Sequence, residues 1–388
     1  MILQQLKKFG HYKVNNFEYY TLSDAKAASK IAGKPFSYHF NEEIYDQYDW
    51  TKDPCPDLTL DDMYRLRAQQ LRDEYDYVVI MYSGGPDSAN VLDAFCHNGI
   101  HVDEIINFNS YSSTSVVDGT LNNADYVYNV KPTIEQYQRK GKLRAKITIY
   151  DEVEYSKKHW SRVKSLGWDD VATDLGGPSM WLNSGHAHQY NKDLWDKIQS
   201  GVKVCIINGH DKPNSVIYNG KRAIFHSDVP AGNFKEVVKQ YDTLMAPVIK
   251  TWNWFYASQD TAPIVIKQCY VLNQFCNSHP EPEFYSPPPK DKNLRPSHNW
   301  PSKHGYGNLK YDIFHSLIYP RWQPGFVTPK PRNLLLRPQD CWWVNDLPTD
   351  QKTVWIHHVQ KFFRENYEVL KTGAMTAALP RTAPRLVE

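Results

Sequence analysis

Six consecutive residues, Ser83-Gly84-Gly85-Pro86-Asp87-Ser88, bring two hydroxyls, two glycines and a carboxylate together. Hydroxyls at Ser83 and Ser88 can bond phosphate oxygens, a carboxylate at Asp87 can hold Mg²⁺, and glycines at 84 and 85 let an anion approach the backbone closely. The Walker pattern needs four residues between its glycines and then Gly-Lys-Ser/Thr, and the dinucleotide fingerprint needs G-x-G-x-x-G. This loop has neither.

Two elements must hold the hexapeptide. Val78, Val79, Ile80 and Met81 form an uninterrupted apolar run before it, which suits a parallel strand buried on both faces. Pro86 fits the first turn of a helix, where its missing N–H is not needed, and Ala89, Leu92 and Phe95 then recur on one face until Asn98-Gly99 ends it. Strand, glycine turn and helix aim backbone amides and the positive end of a helix dipole at one point beyond the strand, and phosphate is the ligand this favours. The bland reading beside it is an ordinary turn with Asp87 as a helix-start carboxylate.

On these residues the sequence resembles the PP-loop, or N-type, ATP pyrophosphatases, whose signature is SGGxDS or SGGxDT between the first strand and helix. The resemblance covers residues 75–225 and implies a HUP/Rossmann-like core with ATP and Mg²⁺ as cofactors. It assigns Ser83, Gly84, Gly85, Pro86, Asp87 and Ser88 to the nucleotide, with Asp87 both catalytic and a metal ligand. A second segment, Val204 to Ile207 followed by Gly209-His210-Asp211-Lys212, is similar to a Gly-His or Gly-Asp turn that several members carry beside the pyrophosphate. By that resemblance Gly209 and His210 lie at the nucleotide, Asp211 is a second Mg²⁺ ligand, and Lys212 is a catalytic partner for phosphate charge. The stretch IINGHDKP followed by SVIYNGKRAIF also fits two strands around a polar loop.

The wider organisation expected is α/β, a doubly wound parallel sheet with a small N-terminal α/β lead-in and a helical, proline-rich C-terminal extension. Residues 1–74 form the lead-in: a hairpin around Asn15-Asn16, a helix with Ser23 as N-cap and Gly33 as stop, and a second helix from Leu58 to Asp73. Residues 75–230 form the ATP-binding domain, with strands near 78, 103, 146 and 204. Ligands of such sheets sit beyond the strand carboxyl ends where strand order reverses, and both glycine motifs lie at carboxyl ends. The loops 109–124 and 174–190 leave the same edge and could cover the adenosine or form a lid. His186 and His188 lack a third ligand at metal spacing.

Residues 231–375 read as helical and proline-rich, and 376–388 as a loose tail. Twelve of the 25 prolines fall between 280 and 338, so that stretch cannot be regular throughout. Nine Lys or Arg face four Asp or Glu there, interleaved with Tyr285, Trp300, Tyr306, Tyr319 and Trp322. Such an arm suits nucleic acid by stacking and phosphate attraction, or packs on its own domain or on a second copy in a homo-oligomer.

Composition bounds the rest. The 388 residues carry 41% apolar and 23% charged side chains and a net charge of +2, a soluble globular profile without strong attraction for nucleic acid or membrane. Six cysteines without a C-x-x-C pair, no signal-peptide pattern and no spanning run together suggest a cytoplasmic protein without a membrane partner. The PP-loop resemblance implies cleavage of ATP to AMP and pyrophosphate with adenylylation of an unidentified acceptor, resolved by an amine or ammonia. Two alternatives stand beside it: a nucleotide or nucleic-acid modification enzyme or sulfonucleotide reductase-like protein on the same core, and a non-catalytic nucleotide-binding or interaction protein. The lead-in also resembles the synthetase half of asparagine synthetase-like proteins, without a glutaminase domain.

Overall fold

The computed structural model describes residues 3–109, 111, 116–117, 120–121, 123–151, 191–209, 214–218, 221–225, 235, 249–284, 309–323, 349–350 and 385–386. His186, His188, His210, Asp211 and Lys212 lie outside the described residues, as does most of the proline-rich arm.

Strands β1 (His11–Val14) and β2 (Phe17–Tyr19) form the expected hairpin, antiparallel with Val14 opposite Phe17. Asn15 takes the turn at φ 53°, a left-handed conformation that asparagine tolerates. Helix α1 (Leu22–Ala32) ends on Gly33 at φ 60°, but its cap is Thr21 rather than Ser23. Thr21 Oγ1 accepts the Asp24 amide at 3.3 Å and donates to Asp24 Oδ2 at 2.6 Å, so the two side chains satisfy the helix start together. Strand β3 (Phe36–His39) pairs with β1, and helix α2 (Leu60–Glu74) follows.

Then come β4 (Tyr77–Met81), α3 (Pro86–His97), β5 (Glu104–Asn109), α4 (Lys131–Arg139) entered through a π-helical turn at Tyr126–Val130, β6 (Lys146–Asp151), α5 (Lys192–Gln199) and β7 (Val204–Asn208). Within the expected loop 109–124, Val116–Val117 and Thr120–Leu121 make a short antiparallel ribbon. A second hairpin joins β8 (Asn214–Tyr218) to β9 (Lys221–Phe225), while β7 pairs in parallel with β4. The antiparallel pair in this stretch is therefore 214–218 with 221–225, and Gly209-His210-Asp211-Lys212 follows in sequence a strand of the parallel sheet. Helices α6 (Ala262–Ser278) and α7 (Tyr311–Ile318) follow later in the chain. Helix α7 falls in the proline-rich arm, where residues 302–319 happen to hold no proline. Arg385–Leu386, in the expected loose tail, form strand β10 and pair with Ala223 and Ile224 of β9, which satisfies an otherwise open strand edge.

The chain divides into two compact units. The first is built from Met1–Arg67, Gly209–Trp322 and Glu368–Glu388, so the lead-in shares a core with much later residues. Tyr64 is its pivot: the hydroxyl donates to the Ile318 carbonyl at 2.7 Å and accepts from Gln268 at 2.8 Å, and the ring packs against Tyr256 and Tyr319. Buried Arg67 donates to the Trp254 carbonyl at 2.8 Å and pairs with Asp260. Lys267 of α6, also buried, reaches Asp53 at 2.8 Å and the Cys55 carbonyl. In the described part of the arm, Arg321 forks onto Asp61 and Tyr319 is buried, so these two side chains serve internal packing.

The second unit, Ala68–Asn208 with Gln323–Tyr367, holds the parallel strands in the order β7-β4-β5-β6. Val78, Val79 and Ile80 are fully buried, as a central strand covered by helices requires. Numbered by appearance, the strand order is 3-2-1-4, and it reverses between β4 and β7. At the amino ends, buried Glu104 of β5 ties neighbours together by accepting from Tyr77 at 3.0 Å, from Asn191 at 2.8 Å and from Thr148. The opposite ends are left to the glycine loop. Among the described residues, no helix is long and apolar enough to cross a membrane.

Candidate functional site

The site grows from the end of β4. The ladder continues one residue beyond the strand, since the Tyr82 amide donates to the Ile106 carbonyl at 2.8 Å. The chain then turns at Gly84, whose φ of 81° is a left-handed conformation in which a side chain is strained. Space forbids one as well: a Cβ there would lie 2.8 Å from Val130 Cγ2 and 3.2 Å from Asn129 Cβ. Gly85 differs. It is extended, with φ −76° and ψ 163°, and a Cβ would meet nothing nearer than Ser83 Oγ at 3.6 Å. Gly84 thus serves the fold, and Gly85 leaves open space at the loop surface.

Gly85 is the N-cap of α3 and Pro86 its first residue, as the sequence predicts. The two serines brace the loop. Ser83 Oγ and Ser88 Oγ stand 3.1 Å apart, Ser88 Oγ donates to the Gly85 carbonyl at 3.1 Å, and the Ser83 amide reaches Ser88 Oγ at 3.3 Å. Ser83 is exposed and Ser88 buried, while Asp87 is half-buried in the first helical turn, where the dipole favours its negative charge. Strand β7 lies next to β4 with Ile207 opposite Ile80, so it ends at Asn208 beside the end of β4. The chain passes from there into Gly209.

Three side chains that the sequence did not single out complete the frame. Asn107 of β5 donates through Nδ2 to the Tyr82 carbonyl at 2.7 Å, and Asn129 of the π-helical turn donates to the Gly84 carbonyl at 3.3 Å. Both are buried, and Val130 closes over Gly84. The available signal was an asparagine inside the apolar strand EIINFN, a residue type that strands disfavour. For Asn129, in YVYNVKP, no sequence pattern marks the role.

Burial also sets the state of several titratable groups in and around α3. The Cys96 thiol is pushed up to about 12, which keeps it protonated and excludes it as a nucleophile at neutral pH. Tyr82 and Tyr137 are likewise raised by burial, and Tyr137 donates to Asp93. Among the described residues, no group of three His, Cys, Asp or Glu side chains could hold a metal ion. What the loop offers is a glycine turn at a helix start, with two serines and one half-buried carboxylate in the first helical turn. Comparison with protein-family models, with curated proteins and with solved structures found no match to this chain.

Proposed function

We propose that the loop Ser83–Ser88 binds the phosphates of ATP and that the chain is an adenylating enzyme of the PP-loop kind, cleaving ATP to AMP and pyrophosphate. One observation carries the reading: the strand, glycine turn and helix stand at the reversal of strand order, where open α/β sheets bind ligands. The close packing over Gly84 supports it, because that packing fixes the loop backbone in one shape before any ligand arrives.

In this reading Ser83 and the first amides of α3 bond phosphate oxygens. Asp87 would hold Mg²⁺, which would supply positive charge to the phosphates when bound. Asp211 would be a second ligand, and Lys212 would balance charge on the departing pyrophosphate, beside Gly209 and His210. An acceptor oxygen attacks the α phosphorus, pyrophosphate leaves, and an amine or ammonia displaces AMP from the acceptor.

Calorimetric titration with ATP and Mg²⁺, wild type beside Asp87→Ala, tests the site, and AMP release from α-labelled ATP in cell extract tests the reaction. Expected are binding by the wild type, affinity at least about tenfold weaker in the variant, and extract-dependent AMP. A wild type that binds no nucleotide would refute the reading.

A further inference from the structure

We infer that Asn107 and Asn129 are positioning residues that hold the glycine loop with its amides turned toward an anion, an inference that rests on the loop being a phosphate site. Their Nδ2 groups take alternate carbonyls of the loop, Tyr82 at 2.7 Å and Gly84 at 3.3 Å. A trans peptide points its carbonyl and its following N–H in opposite directions. Holding the Tyr82 and Gly84 carbonyls inward therefore turns the Ser83 and Gly85 amides outward.

Those two amides are weakly engaged within the chain. The Ser83 amide reaches Ser88 Oγ at 3.3 Å and the Gly85 amide reaches Ser83 Oγ at 3.4 Å, both long for an N–H donor. The serine oxygens these amides meet are neutral acceptors, and a charged phosphate oxygen makes the stronger bond. The two asparagines are buried, and their bonds go to the carbonyls, not to the amides a ligand would engage.

Asn107 also carries a cost that a purely structural residue would avoid. Its Oδ1 is buried without a hydrogen-bond partner among the described residues, in a strand whose other central residues are Ile105 and Ile106. The carbonyl of Tyr82 fixes which way the amide faces, because Oδ1 at that position would set two acceptors against each other.

The test is titration of the full chain with magnesium pyrophosphate, using wild type, Asn107→Ala and Asn129→Ala, with amide resonances of Ser83 and Gly85 followed by NMR. Each variant is expected to bind about tenfold more weakly, with smaller movement of those two resonances at saturation than in the wild type. Equal affinity and equal movement in all three proteins would overturn the clamp and leave the phosphate site standing. No binding of pyrophosphate or ATP by the wild type would overturn both. If Asn107→Ala does not fold, Asn129→Ala, on a separate element, decides alone.

Discussion

The two glycines of the loop make opposite demands, and substitution separates them. Gly84→Ala places a methyl group at a left-handed φ and within 2.8 Å of Val130, so we expect a loss of about 2–4 kcal/mol in urea unfolding together with loss of nucleotide binding. Gly85→Ala has room and an ordinary backbone, so its unfolding midpoint should stay within about 1 kcal/mol of wild type while nucleotide affinity falls. Equal effects of the two changes would mean that Gly85 also serves packing. Another residue-scale expectation concerns His11, which burial lowers to about 4 although Glu18 Oε1 lies 3.5 Å away. The folded state keeps this imidazole neutral while the unfolded chain protonates it near 6.5, so the unfolded state gains protons first and stability falls as pH drops from about 6.5 to 4. Urea melts at both ends of that window should show a shallower pH dependence for His11→Phe.

At the scale of elements, much was legible because short-range rules dominate there. The hairpin at Asn15-Asn16, the Gly33 stop, the buried strand β4 and the proline-started helix α3 all follow from local residue types. The helix cap was misread because TLSD offers two hydroxyl residues. Spacing decides between them: Thr21 has an acid three residues on, whereas Ser23 has Lys26. Thr21→Ala should therefore cost about 1 kcal/mol in thermal unfolding and Ser23→Ala a few tenths. Helix α7 and strand β10 were hidden for different reasons. Composition averaged over the arm concealed a proline-free window, and a two-residue strand has no periodicity of its own because its partner β9 defines it. The same limit hid Asn129, whose importance lies in reaching a carbonyl 45 positions earlier in the chain.

For the molecule as a whole, the lead-in proved inseparable from later sequence. Tyr64, Arg67, Asp53 and Asp61 find their partners at 318, 254, 267 and 321. A fragment of residues 1–74 should therefore show no cooperative melt by circular dichroism, although its local hairpin and helices are readable from sequence. The buried pair Lys267–Asp53 makes the dependence measurable: Asp53→Ala leaves a buried cation and should cost about 3–5 kcal/mol, whereas Asp53→Ala with Lys267→Met should recover most of it. The division into units also sets an order of events during synthesis. All four parallel strands of the second unit have been made once Asn208 is joined, while Tyr64 and Asp61 still lack Ile318 and Arg321. At about 5–20 residues per second the stretch from Asn208 to Ile318 takes on the order of 5–25 seconds, during which the first 67 residues, already made, lack the carbonyl that Tyr64 bonds. The segment synthesised first is thus among the last to acquire its core, and it is the stretch a chaperone would have most reason to hold.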